Sequence, residues 1–448
     1  MTRFPVTVAF TLLLTFGLLT DAAYAESELV SLIGFDLSRI EKTFPVRNED
    51  SVGEAAKLLY RLNRMTSEKL SEIAAKDKQP NAPTLGDCSI VEGTVQGIKP
   101  FAIPEKLIEF LELRQVLQVT VQREEAASTV TLLTTELPRD ITIGDRIRGI
   151  GMVIETSEED VVSAVASVPV QWFPAKPKNE GWKLLSSKGV DVGQLGSVAL
   201  RNRQPLSGED TEIFYAMLAA SAEVGRTPKN ELPTPARIKP VDLLKDPMAF
   251  TGDFVQIKVE TIQVTRIAVT EPARQKQLGS DHYFQIDAIG DLGNVVVEIA
   301  PPPGSDGQPA KFQNRYPISI VSRTLPAWMQ QRIKATKQTD AVVTPIVVPV
   351  AVDGFFFRLW SYSSEYMRQF GGGDQFGPLL IAADLNNREP TNPDPAGVKM
   401  IGWIAAIATC ASIVGLFIWS LIVARRDRRI ERVRKEREAE QMQLPESM

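Results

Sequence analysis

The residues able to do chemistry are few, and their spacing suits it badly. His282 is the sole histidine, so a site with two imidazole ligands, common at catalytic zinc, cannot be built within one chain. Ser280 and Asp281 stand directly before it and supply the residue types of a nucleophile–base–acid triad. Neighbours on an extended chain point to opposite sides, however, and a Ser-Asp-His run is more at home in a turn. Glu155, Glu158, Glu159 and Asp160 offer paired carboxylates for glycosidic-bond cleavage; an acidic run of this kind is also the pattern of a solvated loop. Gly371-Gly-Gly-Asp-Gln-Phe-Gly is glycine-rich but lacks the Lys-Ser/Thr ending of a phosphate loop, and reads as a flexible turn. The expectation is a protein that is not an enzyme, with no catalytic residue, no cofactor and no metal site assigned.

Two clusters point instead to binding. Phe355, Phe356, Phe357, Trp360, Tyr362 and Tyr366 crowd one stretch. Strand alternation buries part of this set and leaves Arg358, Trp360 and Tyr362 as candidates for contact with a peptide, a glycan or a sister module. Ala405, Ala408, Ser412 and Gly415 recur at three- and four-residue steps, a small-residue stripe suited to close helix packing and a homodimer.

That stripe lies in the element that must position everything else. Met400 to Ala424 is 25 residues without a charge, about 37 Å as a helix, against a bilayer core of about 30 Å. Trp403 and Trp419 sit near its ends, and Arg425, Arg426, Arg428 and Arg429 follow at once, marking the cytoplasmic side and contact with membrane lipid. At the other end, Arg3, the apolar Val6 to Leu19 and Ala23-Tyr24-Ala25 read as a cleaved signal peptide. An uncleaved anchor is the alternative, for which Val6 to Leu19 is short. The expected topology is single-pass type I in the cell membrane, with the bulk of the chain extracytoplasmic and the C-terminal tail cytoplasmic.

Of the 448 residues, about 370 are then exported, enough for two or three domains. The formal charge of the whole chain is −5. With the leader neutral and the tail at +2, the exported part carries −7, which speaks against nucleic acid as partner. Cys410 lies in the apolar run and Cys88 is the only other cysteine, so no intrachain disulfide can form outside the membrane. A buried free thiol is expected at Cys88, with a bridge between chains as the alternative. No Asn-x-Ser/Thr sequon occurs.

Between the ends, the pattern predicts a mainly β chain with helical inserts, organised as two small OB-like barrels or sandwiches plus one transmembrane helix. Residues 1–25 are the signal peptide and 26–86 a helical segment and linker, with Ser51 and Glu54 at capping-box spacing ahead of Ala55, Leu58, Leu59, Leu62 and Ile73. Residues 87–175 form the first β module, where alternating runs begin at Ser89, Val116, Thr129, Asp145 and Ala164, with a short helix from Pro104 to Leu113. Residues 176–240 hold a helical insert, capped by Ser207 and Asp210 and ended by Gly225, and a Pro-rich linker. Residues 241–385 form the second β module, 386–398 a Pro-rich stalk, 399–424 the membrane helix and 425–448 the basic tail. Both modules place a Gly-Asp turn before a strand, at Gly144-Asp145 and Gly252-Asp253, a pattern that fits a diverged duplication.

Asp246-Pro247, Phe250-Thr-Gly, Val352-Asp-Gly-Phe-Phe-Phe-Arg-Leu-Trp-Ser-Tyr and Gly377-Pro-Leu-Leu-Ile resemble a group of uncharacterised single-pass envelope proteins common in planctomycete-type bacteria. The likeness covers Pro240 to Asp384 and the anchor, and implies no activity. The expected role is an exported, membrane-anchored scaffold that binds a protein partner of the cell envelope. A membrane-tethered hydrolase acting on envelope polymer is the alternative and would need an acidic cleft; a nucleic-acid-binding OB protein would need a basic groove. For the stripe, Ala408→Cys and Ser412→Cys in a Cys410→Ser background should each give a disulfide-linked dimer in membranes on gels, and monomer alone would remove the dimer.

Overall fold

Asn48, not Ser51, opens the long helix of the N-terminal segment: its side chain accepts the Ser51 N–H at 2.9 Å and the Ser51 hydroxyl accepts the Asn48 N–H at 3.1 Å. The computed structural model describes residues 27–389 apart from 78–82, 125–127, 158–160, 302–303, 305–306, 336–341 and 371, together with Thr409. Its first elements are helices α1 (Glu28–Ile33), α2 (Leu37–Ile40), α3 (Glu49–Leu62) and α4 (Ser67–Asp77). The expected single helix is broken after Leu62, and the Thr66 hydroxyl accepts the Lys69 N–H to restart it.

Next come β1 (Cys88–Ala102), α5 (Glu105–Leu111), β2 (Gln115–Arg123), β3 (Thr129–Thr134), β4 (Arg146–Thr156) and β5 (Val162–Phe173). They close a barrel in the order β1-β2-β3-β5-β4, antiparallel except for β3 with β5. Gly151 is required where strands touch: an added Cβ would lie 1.9 Å from the Ala166 carbonyl oxygen.

A longer insert follows, with α6 (Glu180–Ser187), α7 (Gln194–Leu200), α8 (Thr211–Val224), β6 (Ala236–Arg237), α9 (Pro240–Lys245) and α10 (Pro247–Phe250). The second module is β7 (Phe254–Ala268), α11 (Pro272–Leu278), β8 (His282–Ile299), β9 (Ala310–Ser322), α12 (Ala327–Ala335), β10 (Val343–Pro345), β11 (Pro349–Ser363), α13 (Glu365–Arg368) and β12 (Asp374–Asn387). Because β7 pairs with both β8 and β11, its main strands close a ring β7-β8-β9-β12-β11. That is the order of the first barrel, again with the third and fifth strands parallel.

The repetition extends to detail. β1 and β7 are each 15 residues long, each pairs its first seven residues with the fourth ring strand, and each is bulged against the second at the same place, Val95/Gly97 and Thr261/Gln263. A seven-residue helix with a left-handed cap, Glu112 or Gly279, separates the first two strands of each ring. A 14-residue helix covers the parallel pair of each, α3 across β3 and β5, α8 across β9 and β12. The arrangement of helical cover and ring thus occurs twice. The equivalent turns are Gly86-Asp87 and Gly252-Asp253, which lead into the first strands; Gly144-Asp145 leads into a fourth strand and has no part in the match.

Among the described residues strand and helix are close to balanced, about 39% against 31%, so the structure is mixed α and β rather than mainly β. The sequence pattern missed α6 and α7, which are short, and β12, which starts beyond the glycine run. Asn386 and Asn387 belong to β12 and not to a stalk. Among the described residues no helix is long and apolar enough to cross a membrane. Apart from Thr409, residues 390–448 lie outside them, and with them the expected anchor, its Trp403, Trp419, Arg425, Arg426, Arg428 and Arg429, and the stripe of Ala405, Ala408, Ser412 and Gly415. The signal peptide lies outside them too.

Cys88 is buried under α4, its thiol donating to the Leu70 carbonyl. Burial, with Asp77 adding to it, pushes the thiol up from 9.0 to about 12. At pH 8 that leaves about a thousandfold less thiolate than an ordinary cysteine. Iodoacetamide should therefore leave Cys88 unmodified in the native chain and modify it in urea, as read by mass spectrometry.

Candidate functional site

β11 is buried on both faces, which defeats the expected alternation. Phe355 and Phe357 pack with Phe214 of α8 and Phe254, in an apolar cluster that runs through the insert into the first barrel. Phe356 and Leu359 face the core of the second ring. A bulge between Phe356 and Arg358 resets the strand and turns Arg358 toward the insert.

Arg358 is therefore not an outward contact residue: it is 0% exposed. Its guanidinium donates to the carbonyls of Arg201 at 2.6 Å, Gln204 at 2.7 Å, Pro205 at 2.9 Å and Leu359 at 3.1 Å, and to the Asp210 carboxylate at 2.7 Å. Asp210, also buried, accepts from Arg201 and from the Ser207 N–H, the expected cap. The loop between α7 and α8 is thereby stitched along β11, where Arg203 N–H donates to Leu359 and Ser361 N–H to Gln204. Trp360 and Tyr362 are half-buried beside it with ring centres 4.8 Å apart. Gln375 donates to the Tyr362 hydroxyl, and burial pushes that phenol well up. Of the candidate contact trio, Arg358 is thus occupied by its own chain, while Trp360 and Tyr362 keep part of their surface.

The sequence's catalytic candidates do not assemble. The Ser280 hydroxyl donates to the His282 carbonyl at 2.8 Å and accepts the His282 N–H, so it is spent on the backbone. Asp281 and Arg266 both approach the same ring nitrogen, Nδ1, and the Asp281 carboxyl is held low by its bond to His282. Glu155 accepts from Ser163, while Glu158, Glu159 and Asp160 lie outside the described residues. Gly372 and Gly373 take positive φ in the turn into β12. Among the described residues no group of three or more metal-ligating side chains converges.

A groove of about 330 Å³ does open between the first barrel and α6. Pro174 and Pro177 end β5 by removing backbone donors, and Asn179 caps α6 by accepting the Trp182 N–H. Asp145 holds the floor: buried, it accepts from the Trp172 indole at 2.9 Å and the Ala175 N–H at 2.8 Å. Arg146, Phe173, Pro174, Ala175, Pro177, Lys183, Ser186 and Ser187 line the groove. Arg146 lies over the Phe173 ring at 4.7 Å and pairs with Glu92; Lys183 pairs with Glu180 at 3.4 Å. Exposed Lys176, Lys178 and Lys188 flank it, so residues 176–188 carry four lysines against one acid. The Nε of half-buried Arg148, two residues along β4, has no hydrogen-bond partner. Composition hid this groove: the lysines of 176–188 are diluted in a chain of negative charge, and only the α6 docking brings Lys183 beside Arg146. Neither a protein-family model nor a curated protein matches the chain.

Burial by itself raises the Asp210 carboxyl, but Arg358, the Ser207 N–H and Arg201 outweigh it and hold the group below its ordinary range. A carboxylate depressed by folding adds stability that is complete above its unfolded pKa and is lost as pH falls through the folded one. Asp210→Asn should therefore flatten the acid limb of the urea midpoint below about pH 4. Arg358→Ala should cost roughly 3–5 kcal/mol by removing one partner of buried Asp210 and leaving the loop carbonyls unpaired, and Arg358→Lys should recover only part of it.

Proposed function

We propose that the chain is an exported, membrane-anchored scaffold of the cell envelope that binds an acidic segment of a partner protein and is not an enzyme. The anchor rests on the 25-residue apolar run, its flanking tryptophans and the arginine cluster behind it. The type I topology, contact of the anchor with membrane lipid and pairing of two chains through the small-residue stripe belong to the same reading. In finer detail both rings have the strand order of an OB-like barrel, a fold that presents ligands to its outer strands and loops. The likeness of Pro240 to Asp384 to single-pass envelope proteins agrees with this assignment.

One observation carries the binding reading, the cationic groove at α6 in a part of the chain whose total charge is −7. Its cations are exposed and only two are paired with acids, so they attract a carboxylate-bearing partner and discriminate against basic ones. Nucleic acid would need open aromatic faces for its bases as well; Phe173 is 5% exposed, beneath Arg146. The reading is tested by a photoreactive residue at Ser187 in cells. It predicts a discrete protease-sensitive adduct that disappears in Lys178→Glu/Lys183→Glu and weakens as salt is raised. A nuclease-sensitive adduct, or one indifferent to the charge reversal, would sink it.

A further inference from the structure

The second ring carries an apolar strip that its own fold leaves bare. Residues 342–350 run antiparallel to β7, with Arg266 N–H donating to Val342, Val343 opposite Thr265 and Pro349 opposite Glu260. Thr344, Ile346 and Val348 turn inward. Val342, Val343 and Val347 turn outward, 64%, 43% and 65% exposed, and Ile262, displaced by the β7 bulge beside Ile346, is 40% exposed. Edge strands are ordinarily blunted with charge to prevent association. Here the outward positions along nine residues are aliphatic or proline.

The strip lies where the chain leaves the ring. Asn387 pairs with Val350, and the Arg388 N–H donates to the Pro349 carbonyl at 2.9 Å, two residues from Val347. From Pro349 to Val342 is about 23 Å of strand. Only eleven residues, 389–399, separate Arg388 from the apolar run at Met400. Even fully extended as polyproline they reach about 34 Å. A ring on so short a tether meets the bilayer surface at high effective concentration. Exposed cations accompany the strip, Lys258 and Arg266 on β7 and Arg388 at the exit; Arg266 is paired with Asp281 at 3.7 Å and the nearby Glu260 with Arg315 at 3.0 Å. Aliphatic side chains with a basic rim are the composition of a surface that beds into the headgroup boundary.

We infer that Ile262, Val342, Val343 and Val347 dock the second ring onto the lipid bilayer, fixing its orientation on the membrane. The inference rests on the anchored topology proposed above.

The test uses the full chain with Cys410→Ser, reconstituted in vesicles of phosphatidylcholine and phosphatidylglycerol that carry a nitroxide quencher near the headgroups. An environment-sensitive dye is placed at Val347→Cys or, for comparison, at Phe110→Cys, an exposed site on the first module; buried Cys88 stays unlabelled. Docking predicts loss of most of the emission at residue 347 and little at residue 110, with the loss abolished by Val342→Asp/Val343→Asp while the chain still pellets with the vesicles after alkaline carbonate. Equal quenching at the two sites in a chain that pellets overturns the docking and leaves the anchor standing. A chain released by carbonate overturns the anchor, and the docking with it.

Discussion

A guanidinium with no access to water has to find its acceptors inside the protein, and Arg358 finds five. Four are carbonyls, three of them from a loop that has no regular structure of its own to satisfy them. The fifth is Asp210, which also caps the turn into α8. Taking both charges out of water is expensive, and the arrangement holds only because each group keeps several partners. One ion pair therefore fixes the loop and the start of α8 against β11. Through α8 it fixes the apolar cluster that continues into the first barrel.

The ring and its helical cover occur twice, and the copies have diverged on their outsides while keeping their pairing. Both keep the closed order, the bulge eight residues into the first strand and the parallel contact of the third and fifth strands. These features are set by backbone geometry, which a change of surface residues leaves alone. The first copy gathers cations at the groove below α6, and the second bares an aliphatic strip where its chain departs. Arg274 of α11 in the second unit pairs with Glu68 of α4 in the first, so the two are joined by charge as well as by apolar contact.

Residues that look reactive in one dimension are consumed locally in three. Ser280 bonds to the backbone of His282, Asp281 shares one imidazole nitrogen with Arg266, and Glu155 serves Ser163. The Ser280 and Asp281 bonds join near neighbours on the chain, whereas Arg266 and Glu155 are engaged across paired strands.

Much of the fold was legible because it depends on local pattern. Alternation located the strands of the first barrel, Pro104 to Leu113 marked its helix, and Ser207, Asp210 and Gly225 bounded α8. The uncharged run at Met400 to Ala424 is likewise a property of sequence alone. Only tertiary structure decided the rest. Alternation assumes one wet face, and β11 has none, so Arg358 read as outward when it is the most enclosed charge among the described residues. The lysines of 176–188 became a groove only when α6 docked beside Arg146. The valines at 342, 343 and 347 are bare although apolar, because burial depends on what packs against a side chain and not on its type.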